Sequence, residues 1–178
     1  MIVRLLVAVF GLATVAALVS GCDPLGRPSL ESAFGARVLD GRLHVWTGAP
    51  CHDVIEFGLT FDDNKQDTRA ELLMNAPNDV GVDLEHFTLG DQVPGLKLTK
   101  PLPPNFDWRK AESVRITVHG KVTGGWGTTT QLPEVIKGSA EHPDDTYWFE
   151  GIGWLNPEQV AKQDGKTFLT TCTPSPKP

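Results

Sequence analysis

The sequence of this 178-residue chain predicts a mainly β fold, an antiparallel sandwich of the immunoglobulin-like kind or, as second choice, a small barrel. Three observations carry that expectation. Over Ser113–Val122 the apolar residues Val114, Ile116, Val118 and Val122 fall on even positions and polar ones on odd positions, the period of a strand with one buried and one wet face. Over Asp53–Phe61 the same alternation turns Ile55, Phe57, Leu59 and Phe61 inward. Glycine, proline, asparagine and aspartate punctuate the chain at short intervals, and short strands at such spacing suit a sandwich or barrel.

The first candidate strand, Arg37–Trp46, contains Asp40-Gly41 between apolar neighbours. This dipeptide is a hairpin signal, because two-residue turns of the favoured hand need positive φ at both positions. Asp53–Phe61 follows, and then Ala70–Asn75, Val80–Leu89 and Leu96–Thr99, each bounded by turn residues. Ser113–Val122, Thr146–Trp154 and Lys166–Cys172 complete the set. One helix is expected, over Asn156–Gln163: Asn156 is an N-cap, Pro157 takes the first helical position, Glu158 meets the positive end of the helix dipole and Lys162 the negative end.

Ahead of these elements the chain reads as a leader. Arg4 is the only charge before an apolar run from Leu5 to Val19, and Ser20-Gly21 supplies small residues at a cleavage point. The run is shorter than the ~20 residues that a spanning helix needs and ends without a basic stop-transfer cluster. Val19-Ser20-Gly21-Cys22 resembles the lipobox of bacterial lipoproteins. That resemblance covers only the leader and its junction. It implies cleavage after residue 21, a thioether-linked diacylglycerol on Cys22, in many lineages a further acyl (palmitate-type) chain on its amine, and a cell-membrane location on the extracytoplasmic side. Two or more chains hold stably where one holds reversibly, since each buried CH₂ contributes about 0.8 kcal/mol.

The expected organisation is therefore a signal peptide over 1–21, a lipidated terminus and tether over 22–33, a single β domain over 34–172 and a proline-rich tail over 173–178. Removing 21 of 178 residues leaves 157, enough for one domain with a core and too few for two. The tether Asp23–Ala33, fully extended, reaches at most ~40 Å, so the domain is expected close to its bilayer. With Cys22 assigned to lipid, Cys51 and Cys172 remain as a pair, and an exported protein favours joining them. A loop of about 120 residues closed in this way is stabilised by ~4–5 kcal/mol in the chain-entropy model.

Charge narrows the partners. Arg4 is one of 16 Lys+Arg, so the exported part keeps 15 against 22 Asp+Glu, a balance that disfavours nucleic acid and electrostatic adhesion to anionic headgroups. The membrane is then reached through the lipid on Cys22, and the remaining partner is expected to be an envelope protein or a glycan.

No catalytic constellation is present: there is no Gly-x-Ser-x-Gly, His-Glu-x-x-His, phosphate-cradling glycine loop or Cys-x-x-Cys. His52-Asp53 beside Cys51 is the nearest to a reactive cluster, but neighbours on a strand point to opposite faces. Asp62–Asp67 places oxygen donors like the start of a calcium loop, yet lacks the glycine at its sixth position and the glutamate at its twelfth; a solvated turn is the simpler reading. No metal, cofactor or catalytic residue is expected.

Five tryptophans accompany one tyrosine. Trp46, Trp148 and Trp154 lie in strand-like segments and are expected in the core. Trp126, within Gly124-Gly125-Trp126-Gly127, is read either as packed over the core from a glycine bulge, the preferred reading, or as an exposed loop platform for a ligand. Trp108 and Arg109 form a candidate cation–π pair on a connecting loop. Trp126, Trp108 and Arg109 are the candidate ligand contacts. The expected function is that of a lipid-anchored envelope protein with a binding or accessory β domain; the alternatives are an envelope-active hydrolase and a carrier of a hydrophobic ligand.

Overall fold

The structure is a computed structural model that describes residues 30–63, 69–122 and 124–174. The leader, Cys22 and most of the tether, the greater part of the acidic turn after Asp62, and the last four residues of the tail lie outside the described residues. The chain is mainly β and antiparallel, and its sheet does not close into a barrel.

The strands are β1 (Ser32–Ala33), β2 (Gly35–Leu39), β3 (Arg42–Asp62), β4 (Arg69–Asn75), β5 (Val82–Thr88), β6 (Lys97–Lys100), β7 (Ser113–Gly120), β8 (Gly124–Gln131), β9 (Tyr147–Phe149), β10 (Gly153–Leu155) and β11 (Leu169–Thr170). The helices are α1 (Leu132–Gly138) and α2 (Pro157–Gln163), and a 3₁₀ turn spans Trp108–Lys110.

One long strand organises them. The front half of β3 pairs with β2 on one side and, through His44, Val45 and Trp46, with β5 on the other. Its back half pairs from Glu56 to Asp62 with β4 and with β7. The front layer thus runs β10-β9-β2-β3-β5 and the back layer β6-β4-β3-β7-β8, joined through β3. The bend lies where the register slips, between Trp46 and Glu56. Gly48 and Asp53 have positive φ there, and Pro50, which offers no N–H, sits where no ladder needs one.

The core lies between the layers. Leu43, Val45 and Phe87 come from the front, and Phe57, Leu59, Phe61, Val114, Ile116 and Val118 from the back, all buried. The rings of Phe57 and Phe87 meet across the layers with centroids 4.8 Å apart. Burying a side chain of this size contributes about 1.5–3 kcal/mol. A second cluster, Trp46, Phe149, Leu155, Val160 and Phe168, packs α2 and the end of the chain onto the other face of the front layer.

The structure corrects the sequence reading in its details. Asp40 (φ 49°) and Gly41 (φ 72°) form the hairpin turn, so Arg37–Trp46 is two strands and Asp53–Phe61 is the continuation of the second. Phe57, Leu59 and Phe61 point inward as expected, but the bulge puts Val54 in the core and leaves Ile55 half-buried. Val80 and Val122, assigned to strands, lie beyond the strand ends and are 68% and 82% exposed. Leu98 is exposed on β6, whose buried neighbour is Leu96. Thr146–Trp154 is a hairpin, β9 and β10, turned at Gly151 (φ 72°). Lys166–Cys172 contributes only the two residues of β11, which pair in parallel with β1.

The helix over Asn156–Gln163 is present as α2, with Asn156 and Gln159 forming a reciprocal capping box. The disulfide between Cys51 and Cys172 is present, with Cα atoms 5.3 Å apart. It fastens the end of the chain to the bend of β3, where Thr171 also donates its N–H to Thr47 O at 3.0 Å. Among the described residues no helix is long and apolar enough to cross a membrane.

Candidate functional site

The face of the front layer turned away from the main core gathers the chemistry. Register sets its rows. Thr88, His44 and Arg37 lie side by side on β5, β3 and β2, and His86, Trp46 and Gly35 form the next row. Side chains opposite one another on paired strands share a face. Phe149 extends the second row on β9, and a Cβ at Gly35 would come within 2.8 Å of Tyr147 Cβ and 3.0 Å of the Phe149 ring. Glycine at this position lets β9 lay its aromatic side chains across β2.

Trp46 is buried and forms the floor of the site. The His86 ring stacks on its indole with centroids 5.7 Å apart and planes 7° apart. Tyr147 tilts against the indole at 5.3 Å, and Phe149 meets it edge-on at 5.6 Å. Trp46 Nε1 donates to Glu85 Oε1 at 3.1 Å, which fixes the ring. His86 and Tyr147, 6.1 Å apart, present their remaining surface to solvent. His44 Nδ1 and Thr88 Oγ1 share a hydrogen bond of 3.1 Å.

Arg37 lies beside this floor with 1% of its surface exposed. Its guanidinium donates to Pro143 O and Thr146 O, both at 2.7 Å, to Ser139 O at 3.4 Å and to Asp144 Oδ1 at 3.1 Å, and stands 6.0 Å from the Tyr147 ring centroid. The strap between α1 and β9 is thereby tied down, and Tyr147, which follows it, is held in place.

Burial lowers the pKa of His44, with Arg42 adding to the effect, and burial lowers that of His86 against the pull of Glu85. Burial raises that of Tyr147. At neutral pH all three are uncharged, so the face offers aromatic surface and neutral hydrogen-bonding groups, an arrangement suited to apolar or hydroxylated ligands. Groups with shifted pKa values gathered on one surface also mark functional candidates.

The residues singled out in the sequence lie elsewhere. Trp108 is buried in the main core, so it offers no ligand platform; Arg109 stacks on it with the guanidinium carbon 4.8 Å from the ring centroid and donates to Gly41 O. This cation–π pair braces the β2–β3 turn. Trp126 is in neither a loop nor a bulge: it stands in β8 opposite Val118, half-exposed at the end of the back layer. Trp46 is core as expected, whereas Trp148 and Trp154 are half-buried, with centroids 6.1 Å apart, and His142 stacks on Trp154 at 4.5 Å.

His52 is exposed and pairs with Asp83, its Nδ1 lying 3.0 Å from the carboxylate, and Asp53 is held at φ 55°. Cys51 is in the disulfide, so the three do not converge on a reactive centre. Among the described residues no three His, Cys, Asp or Glu side chains gather as a metal site.

The sequence reading passed over His44, His86, Tyr147 and Arg37. A signal existed in His44-Val45-Trp46, where an alternating strand carries an imidazole and an indole on the face turned away from the main core. Pairing it with His86 and Tyr147 required the strand order. The chain matches no protein-family model, no curated protein and no solved structure.

Proposed function

We propose that this chain is a lipid-anchored protein of the cell envelope whose β domain binds a ligand through the outer face of its front layer. The observation that carries the reading is the uncharged aromatic platform of His86 and Tyr147 over Trp46, flanked by the buried Arg37. Flat aromatic surface with neutral donors and acceptors fits an envelope glycan, whose apolar ring faces stack and whose hydroxyls bond. A hydrolytic centre is less well supported. Glu31 and Glu150 line one open groove, but Glu150 Oε2 already accepts from Thr130 Oγ1, Gln131 N and Trp148 Nε1.

The anchor rests on the lipobox-like Val19-Ser20-Gly21-Cys22, and export is supported by the disulfide, which persists in oxidising compartments. The test has two arms. Intact mass from a bacterial host is expected to show acylation that Cys22→Ser abolishes. Co-sedimentation with insoluble cell-wall glycan is expected for the Cys22→Ser protein and is expected to be lost when His86→Ala and Tyr147→Ala are added. An unacylated mature chain removes the anchor; undiminished co-sedimentation of the triple variant removes the proposed face.

A further inference from the structure

The back layer has an open edge, separate from the aromatic face. β8 pairs with β7 along its whole length and with no other strand. Edge strands are ordinarily blunted by charge, proline or shortness. β6, at the other edge of this layer, is four residues long and carries Lys97 and Lys100. β8 has eight residues, Gly-Gly-Trp-Gly-Thr-Thr-Thr-Gln, with no charge and no proline.

The phase of the strand is fixed by two bonds. Leu132 donates its N–H to Glu112 O on the β7 side, whereas Gln131 donates to Glu150 Oε2 on the open side. Alternation along the strand then directs the backbone groups of Gly125, Gly127 and Thr129 outward. Among the described residues these groups have no partner.

Beside them runs an open groove of about 410 Å³, lined by Gly127, Thr128, Thr129, Glu31 and Glu150 among others. On its far side Thr128 Oγ1 donates to Ser32 O at 2.7 Å, so β1 is held as a wall without pairing to β8. Glu31 and Glu150 make that wall acidic. Arg115 lies on the opposite face of the layer, its Nη2 2.6 Å from where a Cβ on Gly127 would stand. The two sides of the edge are therefore of opposite charge.

We infer that β8 accepts an extended segment of another protein as an added strand, with a lysine or arginine facing Glu31 and Glu150. Main-chain bonds to Gly125, Gly127 and Thr129 supply binding that does not depend on sequence, and the carboxylates select basic side chains.

The test uses the full chain carrying Cys22→Ser and a blocked nine-residue peptide with lysine at odd and threonine at even positions. Amide hydrogen exchange followed by NMR is expected to slow at Gly125, Gly127 and Thr129 when the peptide is added. A peptide with glutamate in place of lysine is expected to bind at least about tenfold more weakly. Thr129→Pro removes one outward N–H without touching the β7 ladder, and Glu31→Lys reverses an exposed charge; both are expected to weaken binding while the melting temperature of Glu31→Lys stays unchanged.

Absence of protection at these three amides, or equal binding by Glu31→Lys, overturns the inference. Protection that appears without peptide and rises with protein concentration, together with a dimer mass in sedimentation, assigns the edge to a second copy of this chain and overturns the basic-peptide occupant.

Discussion

Replacing Arg37 with methionine tests whether the buried guanidinium holds the strap and, through it, the aromatic platform. Arg37 is 1% exposed, and its two shortest bonds, at 2.7 Å, go to Pro143 O and Thr146 O. Methionine fills similar volume and donates nothing. Hydrogen bonds from a charged donor are worth roughly 1.5 kcal/mol or more each, so losing this pair costs about 3 kcal/mol. The ion pair adds little, because Asp144 is 85% exposed on its own side and returns to water when the cation leaves.

A loss of about 3 kcal/mol corresponds to a melting temperature roughly 10 °C lower for a domain of this size. The assay is thermal and urea unfolding followed by circular dichroism, with Asp144→Asn expected within about 0.5 kcal/mol of the wild type. The opposing effect is the cost of burying a cation, including Arg37 Nε, which is buried without a partner. Replacing a buried charge with an apolar residue is sometimes stabilising. An Arg37→Met protein as stable as the wild type would mean that desolvation cancels the bonds and that Arg37 does not hold the strap.

Three further outcomes are expected. Replacing both Cys51 and Cys172 with alanine frees a link between positions 121 apart, and equilibrium unfolding is expected to show a loss of up to about 5 kcal/mol. Asn156→Ala removes the cap that accepts from Gln159 N at 2.9 Å, for a loss of about 1 kcal/mol measured by urea unfolding, with slower exchange of the first-turn amides contradicting the assignment. Burial lowers the folded-state pKa of His44, and likewise that of His86, so as pH falls through the ordinary value near 6.5 the unfolded chain takes up protons that the folded chain refuses. Stability is therefore expected to fall from about pH 6.5 down to the folded-state pKa and then level off, and His44→Gln to reduce that slope.

The sequence made the strands legible wherever one face is buried and the other wet. Ser113–Gly120 alternates because β7 packs on the core by one face alone, and Asp40-Gly41 and Asn156-Pro157 declare a turn and a cap through local chemistry. Legibility failed where tertiary packing overrides pattern. Gly124–Gln131 carries three glycines and reads as a loop, yet β7 recruits it as a strand, and Gly125 and Gly127 leave room on its outer face for His119 and Arg115. Leu132–Gly138 is too short to display a helical period. The disulfide followed from counting cysteines.

The aromatic platform, in contrast, combines one residue each from β3, β5 and β9, and no local pattern brings such positions together. Trp126 and Trp108 drew attention by their neighbours in sequence. What decides their roles is tertiary packing, which stands Trp126 in β8 opposite Val118 and buries Trp108 in the main core.

The most direct measurement is an amide and side-chain NMR titration of the Cys22→Ser protein with soluble cell-wall glycan fragments. Shifts are expected to concentrate on His44, His86, Trp46 Nε1 and Tyr147, with β8 silent, and to disappear in the variant that adds His86→Ala and Tyr147→Ala. Shifts confined to β8 and Glu31, or an unperturbed spectrum at saturating fragment, would contradict the assignment of the binding face.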